Sequence, residues 1–242
     1  MSFESFPREP IELPGLVSLR LNLISADLHI ATDSHDLANP QLTLEGDDEA
    51  FKYSYRDGRF TLNENSGSSH NITFIPAGGS RSLFKGGGDF SNVVLPGGAI
   101  RINGKEIISP SPGITMSTRR RALLFLPTSY AASHDINSMN GGVELDSLSA
   151  KSLSITSLAG SIAVLNSTID SIIIKTVSGN VKIAGTKSRA DVFANTMSGN
   201  IEISDSDAPA WRLNTELGSI ATANTIGKID TNSAIGRTQV SD

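Results

Sequence analysis

Thr176-Val-Ser-Gly-Asn-Val-Lys-Ile183 and Thr196-Met-Ser-Gly-Asn-Ile-Glu-Ile203 lie 20 residues apart and are nearly the same sentence written twice. Three more segments keep the cadence: Ser138-Met-Asn-Gly-Gly-Val-Glu-Leu145, Ser157-Leu-Ala-Gly-Ser-Ile-Ala-Val164 and Thr215-Glu-Leu-Gly-Ser-Ile-Ala-Thr222. A sixth, Ser233-Ala-Ile-Gly-Arg-Thr-Gln-Val240, keeps it more weakly. The shared glycines Gly141, Gly160, Gly179, Gly199, Gly218 and Gly236 are spaced by 19, 19, 20, 19 and 18 residues. A fixed period near twenty marks a solenoid, because one copy cannot bury its apolar face and stacked neighbours can.

The apolar pattern within a copy says which solenoid. Val143 and Leu145, Ile162 and Val164, Val181 and Ile183, and Ile201 and Ile203 alternate. A second alternating pair precedes each glycine: Leu153 and Ile155, Ile172 and Ile174, Val192 and Ala194, Trp211 and Leu213. Period two belongs to strands, and no copy has a helical stripe long enough for a helix. The expected fold is all-β: a right-handed parallel β-solenoid of about 19 residues per turn, with at least two strands per turn. Neighbouring turns stack roughly 4.8 Å apart, so six turns span roughly 25–30 Å.

Small residues fit the corners of such a coil. Each glycine allows a turn where a side chain clashes, often at positive φ. Three residues before it runs a column of hydroxyls: Ser138, Ser157, Thr176, Thr196, Thr215 and Ser233. Both columns are read as corner chemistry and not as ligand contacts. Asn180 and Asn200, one turn apart, are expected to form an amide ladder.

The rest of the chain leads into this array. Residues 1–15, with Pro7, Pro10 and Pro14, read as an extended arm. Residues 16–62 read as N-terminal strands around a divergent first turn, Ser25-Ala-Asp-Leu-His-Ile30, with Leu23 in the hydroxyl place, the mark of a cap. Asp57-Gly58 between Phe51–Tyr55 and Arg59–Leu62 predicts a tight hairpin. Residues 63–118 are an insertion rich in Gly, Ser, Asn and Pro, with a hairpin at 99–108 around Asn103-Gly104 and loops around 78–88 and 109–113. Long loops carry function, so the insertion is a place to look for a partner site. Residues 119–242 hold the repeats, opened by a strand that ends at Pro127, and belong to one domain with 16–62. No polar cap follows the last repeat; truncation, pairing with another copy of the chain (a homo-oligomer through this end) and a ragged last turn are the three alternatives.

Composition narrows the function. Aromatic residues make up 5% and glycines number 22 of 242, as a turn-rich fold with a thin core requires. The net charge of −5 and pI near 5.4 argue against nucleic acid. With no cysteine there is no disulfide or thiolate metal site. His29, His35, His70 and His134 are scattered, so no metal site is expected. Gly86-Gly-Gly-Asp lacks the lysine and hydroxyl of a phosphate loop, so no nucleotide cofactor is expected. Asp170, Asp191, Asp205, Asp207 and Asp230 fall in different registers and form no acid–base pair; Pro209 places 205–209 in a loop. Arg119-Arg-Arg121, whose alternate side chains face opposite ways along a strand, reads as a solvated edge with a small anion patch as the alternative, and Trp211, at an inward position, as core. No apolar run is long enough to span a bilayer. The N-terminus shows no export signal, which places the chain in the cytoplasm by default and at the cell surface if a leader has been removed.

The Ser-Gly-Asn-Val/Ile-x-Ile cadence at 178–183 and 198–203, after a strand ending in Pro127, resembles the bacterial putative-adhesin β-solenoid family. The resemblance covers about 120–242 closely and 16–62 loosely; the insertion departs from it. It implies a stacked β coil, an adhesin-like role of unknown function and no catalysis, with no functional residues to carry over. The expectation is a non-enzymatic binding module for a protein or carbohydrate ligand. A bactofilin-like self-assembling scaffold and a polysaccharide-cleaving β-helix are the alternatives.

Overall fold

Alternating burial fixes which side chains of the repeat strands face inward. Along Ile172–Ser178, the side chains of Ile172, Ile174 and Thr176 are buried, and those of Ile173, Lys175 and Val177 point out. The computed structural model describes residues 10–33, 37–45, 51–65, 120–128 and 130–241, with the backbone of four short strands at 73–75, 82–83, 99–102 and 105–107. The described residues contain no helix. They form a parallel β-solenoid of about six turns with about 19 residues per turn.

Strands preceding each glycine stack in parallel register: Leu153, Ile172, Val192, Trp211 and Ile229 lie over one another. Strands following it do the same through Val143, Ile162, Val181, Ile201 and Ile220. A third, shorter column, too brief to show as periodicity, joins Ser149–Ala150, Thr168–Ile169 and Lys187–Ser188. The inward side chains form one continuous apolar core, with Trp211 fully buried and its indole N–H donating to the Ile226 carbonyl at 3.0 Å.

The repeat glycines line one edge. A Cβ built on Gly179 would lie 2.1 Å from the Gly160 carbonyl oxygen, and one on Gly199 would lie 2.1 Å from that of Gly179. Close approach between turns therefore dictates glycine here. Left-handed φ does not, since Gly141, Gly179 and Gly199 lie outside that region. The hydroxyl column points into the same corner. Ser138 donates to the Gly141 carbonyl at 3.0 Å, Thr215 to that of Gly199 at 3.0 Å and Ser233 to that of Gly218 at 2.9 Å. Thr196 donates to the Gly179 carbonyl and Ser157 to that of Ala159, whereas the buried Thr176 hydroxyl has no partner among the described residues. The Asn180–Asn200 ladder runs from side chain to backbone: Asn180 Oδ1 accepts the Asn200 N–H, and Asn200 Oδ1 accepts the Ser219 N–H.

The opposite corner holds a second repeat. Ser147, Asn166, Gly185, Asp205 and Asn224 all adopt left-handed φ, from +47° to +62°. Short polar residues and glycine tolerate that conformation best. The residue after four of the five sends a hydroxyl toward the corner, at Ser167, Thr186, Ser206 and Thr225, each donating to a carbonyl two residues back, while Leu148 follows Ser147.

The stacking order departs from the chain order. Ser18–Leu23 lies between Arg59–Glu64 on one side and Ala132–Ser138 on the other. Asp27–Asp33 lies between Arg121–Pro127 and Val143–Asp146. The lowest complete turn is thus assembled from 59–64 and 121–127, and the insertion leaves at its corner. The turn carrying Leu23 and Ala26 is the next one up and not the cap. The end of the coil is instead covered by antiparallel strands. Phe51–Arg56 pairs with Arg59–Glu64 through a turn in which Asp57 and Gly58 both have positive φ. Gln41–Glu45 pairs with Arg121–Pro127, and Ile11–Glu12 of the N-terminal arm pairs with Gln41–Glu45. These strands cover the edges on which a further turn of the coil would otherwise stack.

Two further expectations meet the structure. Residues 205–209 are not a loop; they lie within the strand Ile201–Leu217, whose register shifts between Asp207 and Ala210 and so accommodates Pro209 at a bulge. Ala99–Ile102 and Lys105–Ile107 pair antiparallel, in a four-stranded sheet with Thr73–Ile75 and Ser82–Leu83; the turn expected at Asn103-Gly104 lies outside the described residues. The loops expected around 78–88 and 109–113 fall, apart from Ser82–Leu83, outside the described residues, as do residues 1–9 of the arm. At the other end burial thins, and Ile226, Ile235 and Val240 are exposed.

Candidate functional site

The outer face of the first strand column carries a ladder that stacking alone assembles. Asn63, Asn22, Asn137, Thr156, Lys175, Asn195, Asn214 and Asn232 share one outward register. Asn22 Nδ2 donates to Asn63 Oδ1 at 2.7 Å, and Asn137 Nδ2 donates to Asn22 Oδ1 at 3.1 Å. These three residues are 41 and 115 positions apart in sequence. The signal was present in the repeats, where this is the residue just before each hydroxyl.

One residue past the hydroxyl column, the strands expose apolar side chains on four consecutive turns. Met139, Leu158, Val177 and Met197 are each 41–47% exposed. Between this column and the asparagine ladder runs a groove of about 390 Å³, lined by Asn22, Asn137, Thr156, Met139, Leu158 and Val177 among others. Apolar side chains dominate its wall, and amides and hydroxyls form its other edge. The conspicuous repeated letters, glycine and hydroxyl, face the corner; the two outward columns vary in residue type and repeat no one letter throughout.

Glu64 closes one end of the groove, at the corner where the insertion leaves. Its register is that of the hydroxyl column, directly below Leu23. In the turn above, the copy of the corner below supplies carbonyls to the N–H groups of this region: Met139 and Asn140 donate to the carbonyls of Leu23 and Ile24. Below Ile24, Ser25 and Ala26 the chain has departed, and a carboxylate takes the carbonyls' place. Glu64 Oε2 accepts the N–H groups of Ile24, Ser25 and Ala26 at 2.7, 2.9 and 2.9 Å. Oε1 accepts the Ser25 hydroxyl at 2.8 Å and Arg120 Nη1 at 2.9 Å. The Glu64 side chain is 0% exposed and that of Arg120 is 13% exposed. Burial pushes the Glu64 pKa up, but the hydrogen bonds from Ala26, Ser25, Arg120 and Ile24 outweigh it and hold the carboxyl below its usual value. The solvated edge expected at 119–121 is therefore corrected at one position: Arg120 turns inward to a buried ion pair, while Arg121 faces Glu45 at 3.8 Å on the surface; Arg119 lies outside the described residues. Alternation along a strand separates the two fates.

His134 occupies an inward position between Leu19 and Leu153, with 2% exposure and no hydrogen-bond partner for either ring nitrogen among the described residues. Burial pushes its pKa down to about 4. The unfolded chain then binds more protons than the folded one between about pH 6.5 and 4, so stability falls as the pH drops through that window. The loss reaches on the order of 3 kcal/mol. Replacing His134 with Leu is expected to flatten that part of the pH–stability curve. Urea titrations across the window check it, and an unchanged slope refutes it.

The remaining charges form surface pairs. Arg189 lies 3.3 Å from Asp170; Arg212 lies 2.9 Å from Asp191, with its guanidinium over the Phe193 ring. His29 faces outward 3.9 Å from Glu144 in a shallow hollow. Among the described residues no three potential metal ligands converge.

The sequence profile of the family described as Toastrack DUF4097 matches residues 58–234, most of the repeat region included. The chain belongs to this family. In this Toastrack chain the matched span includes the insertion and begins at the tight turn that leads into Glu64. Among curated proteins, an outer membrane usher protein of Salmonella typhimurium, LpfC, is 31% identical over 139 residues, covering 54% of this chain. The chain spans about 15% of that usher's length. Solved structures similar to the Toastrack chain include a putative cell adhesion protein from Clostridium sporogenes, 12% identical, covering 97% of this chain and 99% of that one with a TM-score of 0.42. A putative adhesin from Bacteroides fragilis is 13% identical, covers 96% and 94%, and has a TM-score of 0.47. A putative lipid binding protein from Parabacteroides distasonis is 10% identical, covers 98% and 97%, and has a TM-score of 0.35. At these identities and scores the names of those proteins carry no argument about this one.

Proposed function

We propose that this Toastrack chain is a non-enzymatic, adhesin-like interaction module whose outer groove binds an uncharged, elongated ligand, a neutral carbohydrate chain. One observation carries the reading: amide and apolar columns run side by side over several turns, and the single ionisable lining residue among the described residues, Glu64, is buried and paired. An amide both donates and accepts, which suits hydroxyl groups of either polarity. Apolar side chains suit the C–H faces of sugar rings, and the volume falls in the range of ligand sites. Among the described lining residues a charged polymer finds no free partner charge.

A glycan screen with the full chain tests the proposal, using Leu158→Glu as the comparison. Leu158 is 47% exposed, so the change leaves the core intact and places a carboxylate in the middle of the groove. The expected result is binding of a neutral glycan that weakens about tenfold or more in the variant, with an unchanged Tm. A folded wild-type chain that binds no neutral glycan, or binds one equally well with Leu158→Glu, refutes the reading.

A further inference from the structure

Five donors converge on one carboxylate at the first corner: three consecutive backbone N–H groups, the Ser25 hydroxyl and the Arg120 guanidinium. Consecutive amides turned toward one point form an anion-binding nest, and a guanidinium adds charge to it. The occupant is not part of the nest. Glu64 reaches it from another strand, 38 to 40 residues away from the amides and 56 away from Arg120. Every donor is supplied by other segments, so the nest survives loss of the Glu64 side chain. Its mouth opens on the groove, where Glu64 is a lining residue.

We propose that this corner is a carboxylate-binding site in its own right, filled in the native chain by the tethered carboxylate of Glu64. A small free carboxylate, formate or acetate, takes the same place once the tether is removed. The planar pair of oxygens matters: one oxygen takes the three amides, the other takes the hydroxyl and the guanidinium. Chloride offers one centre and cannot satisfy both sets. The site has a further consequence in the native chain. Arg120 Nη1 also donates to the Asn65 carbonyl, at 3.5 Å, so the nest joins the two stems of the insertion at its base. This inference stands apart from the proposed glycan binding, because it needs neither the asparagine ladder nor the apolar column.

The test is chemical rescue of full-length Glu64→Ala. Sodium formate or acetate, against sodium chloride at the same ionic strength, is expected to raise the Tm of the variant along a saturating curve. Wild type and Glu64→Gln, whose nests are filled by a side chain, are expected to show no carboxylate-specific rise. Glu64→Ala/Arg120→Ala is expected to lose the response. Should Glu64→Ala be unfolded at room temperature, the same titration is read as recovery of the native β-sheet circular dichroism, since a ligand that binds only the folded state draws the equilibrium toward it. Equal effects of carboxylate and chloride, or an undiminished response in the double variant, overturn the proposal.

Discussion

Glu64→Ala is expected to lower the Tm by on the order of 10 °C, corresponding to about 3–5 kcal/mol, in the absence of added carboxylate. The size follows from what the change leaves behind. Three amides of Ile24, Ser25 and Ala26 lose their acceptor, and Arg120, 13% exposed, keeps a charge without its partner. A broken buried pair is far more damaging than a lost surface pair, whose removal matters little. Arg120→Ala alone is expected to lose less, because the amides still hold the carboxylate. The pH dependence has a definite sign. The folded pKa of Glu64 lies below its ordinary value of 4.5, so the stabilisation is complete above that value and fades as the pH falls through the lower, folded one. His134 acts in the window above, between about 6.5 and 4. Acid titrations of the two single variants therefore separate the contributions. Urea midpoints of Glu64→Ala within experimental error of wild type would sink the account of the corner.

The neighbouring glycines Gly141 and Gly142 are expected to respond oppositely to the same substitution. A Cβ on Gly141 would sit 1.9 Å from the Ala26 carbonyl oxygen, a backbone atom of the turn below. Turns roughly 4.8 Å apart cannot separate locally without breaking the ladder on both sides. Gly141→Ala is expected to lose about 4 kcal/mol or more, or to prevent folding. A Cβ on Gly142 would meet nothing nearer than Asp27 Oδ1 at 3.5 Å, an ordinary contact with a side chain. Gly142→Ala is expected to stay within about 1 kcal/mol of wild type, helped by the reduced freedom of the unfolded chain. Equal losses in the two variants, measured by thermal unfolding, would remove the claim that approach between turns selects glycine at this edge.

The two glycines also show where sequence runs out. The repeat singled out Gly141, because only it keeps step with Gly160, Gly179 and Gly199. Positive φ and close approach both apply, but unequally: positive φ occurs at Gly160, Gly218 and Gly236, whereas the short distance to the turn below is common to all six repeat glycines. The left-handed column at Ser147, Asn166, Gly185, Asp205 and Asn224 was equally periodic but chemically mixed, since several residue types tolerate that conformation. Mixed columns are hard to see as repeats even when one backbone geometry imposes them.

The sequence by itself determined the all-β class, the turn length, the inward residues of the repeats and the hairpin at Asp57-Gly58. These follow from local physics: period-two alternation, a constant copy length and the φ preferences of a two-residue turn. Only the tertiary structure decided the order of the lowest turns, the burial of Arg120, the role of Glu64 and the asparagine ladder joining residues 63, 22 and 137. Each of these depends on which strand lies over which when the chain doubles back. That choice is made by backbone pairing between segments as much as 115 residues apart, and no local pattern records it.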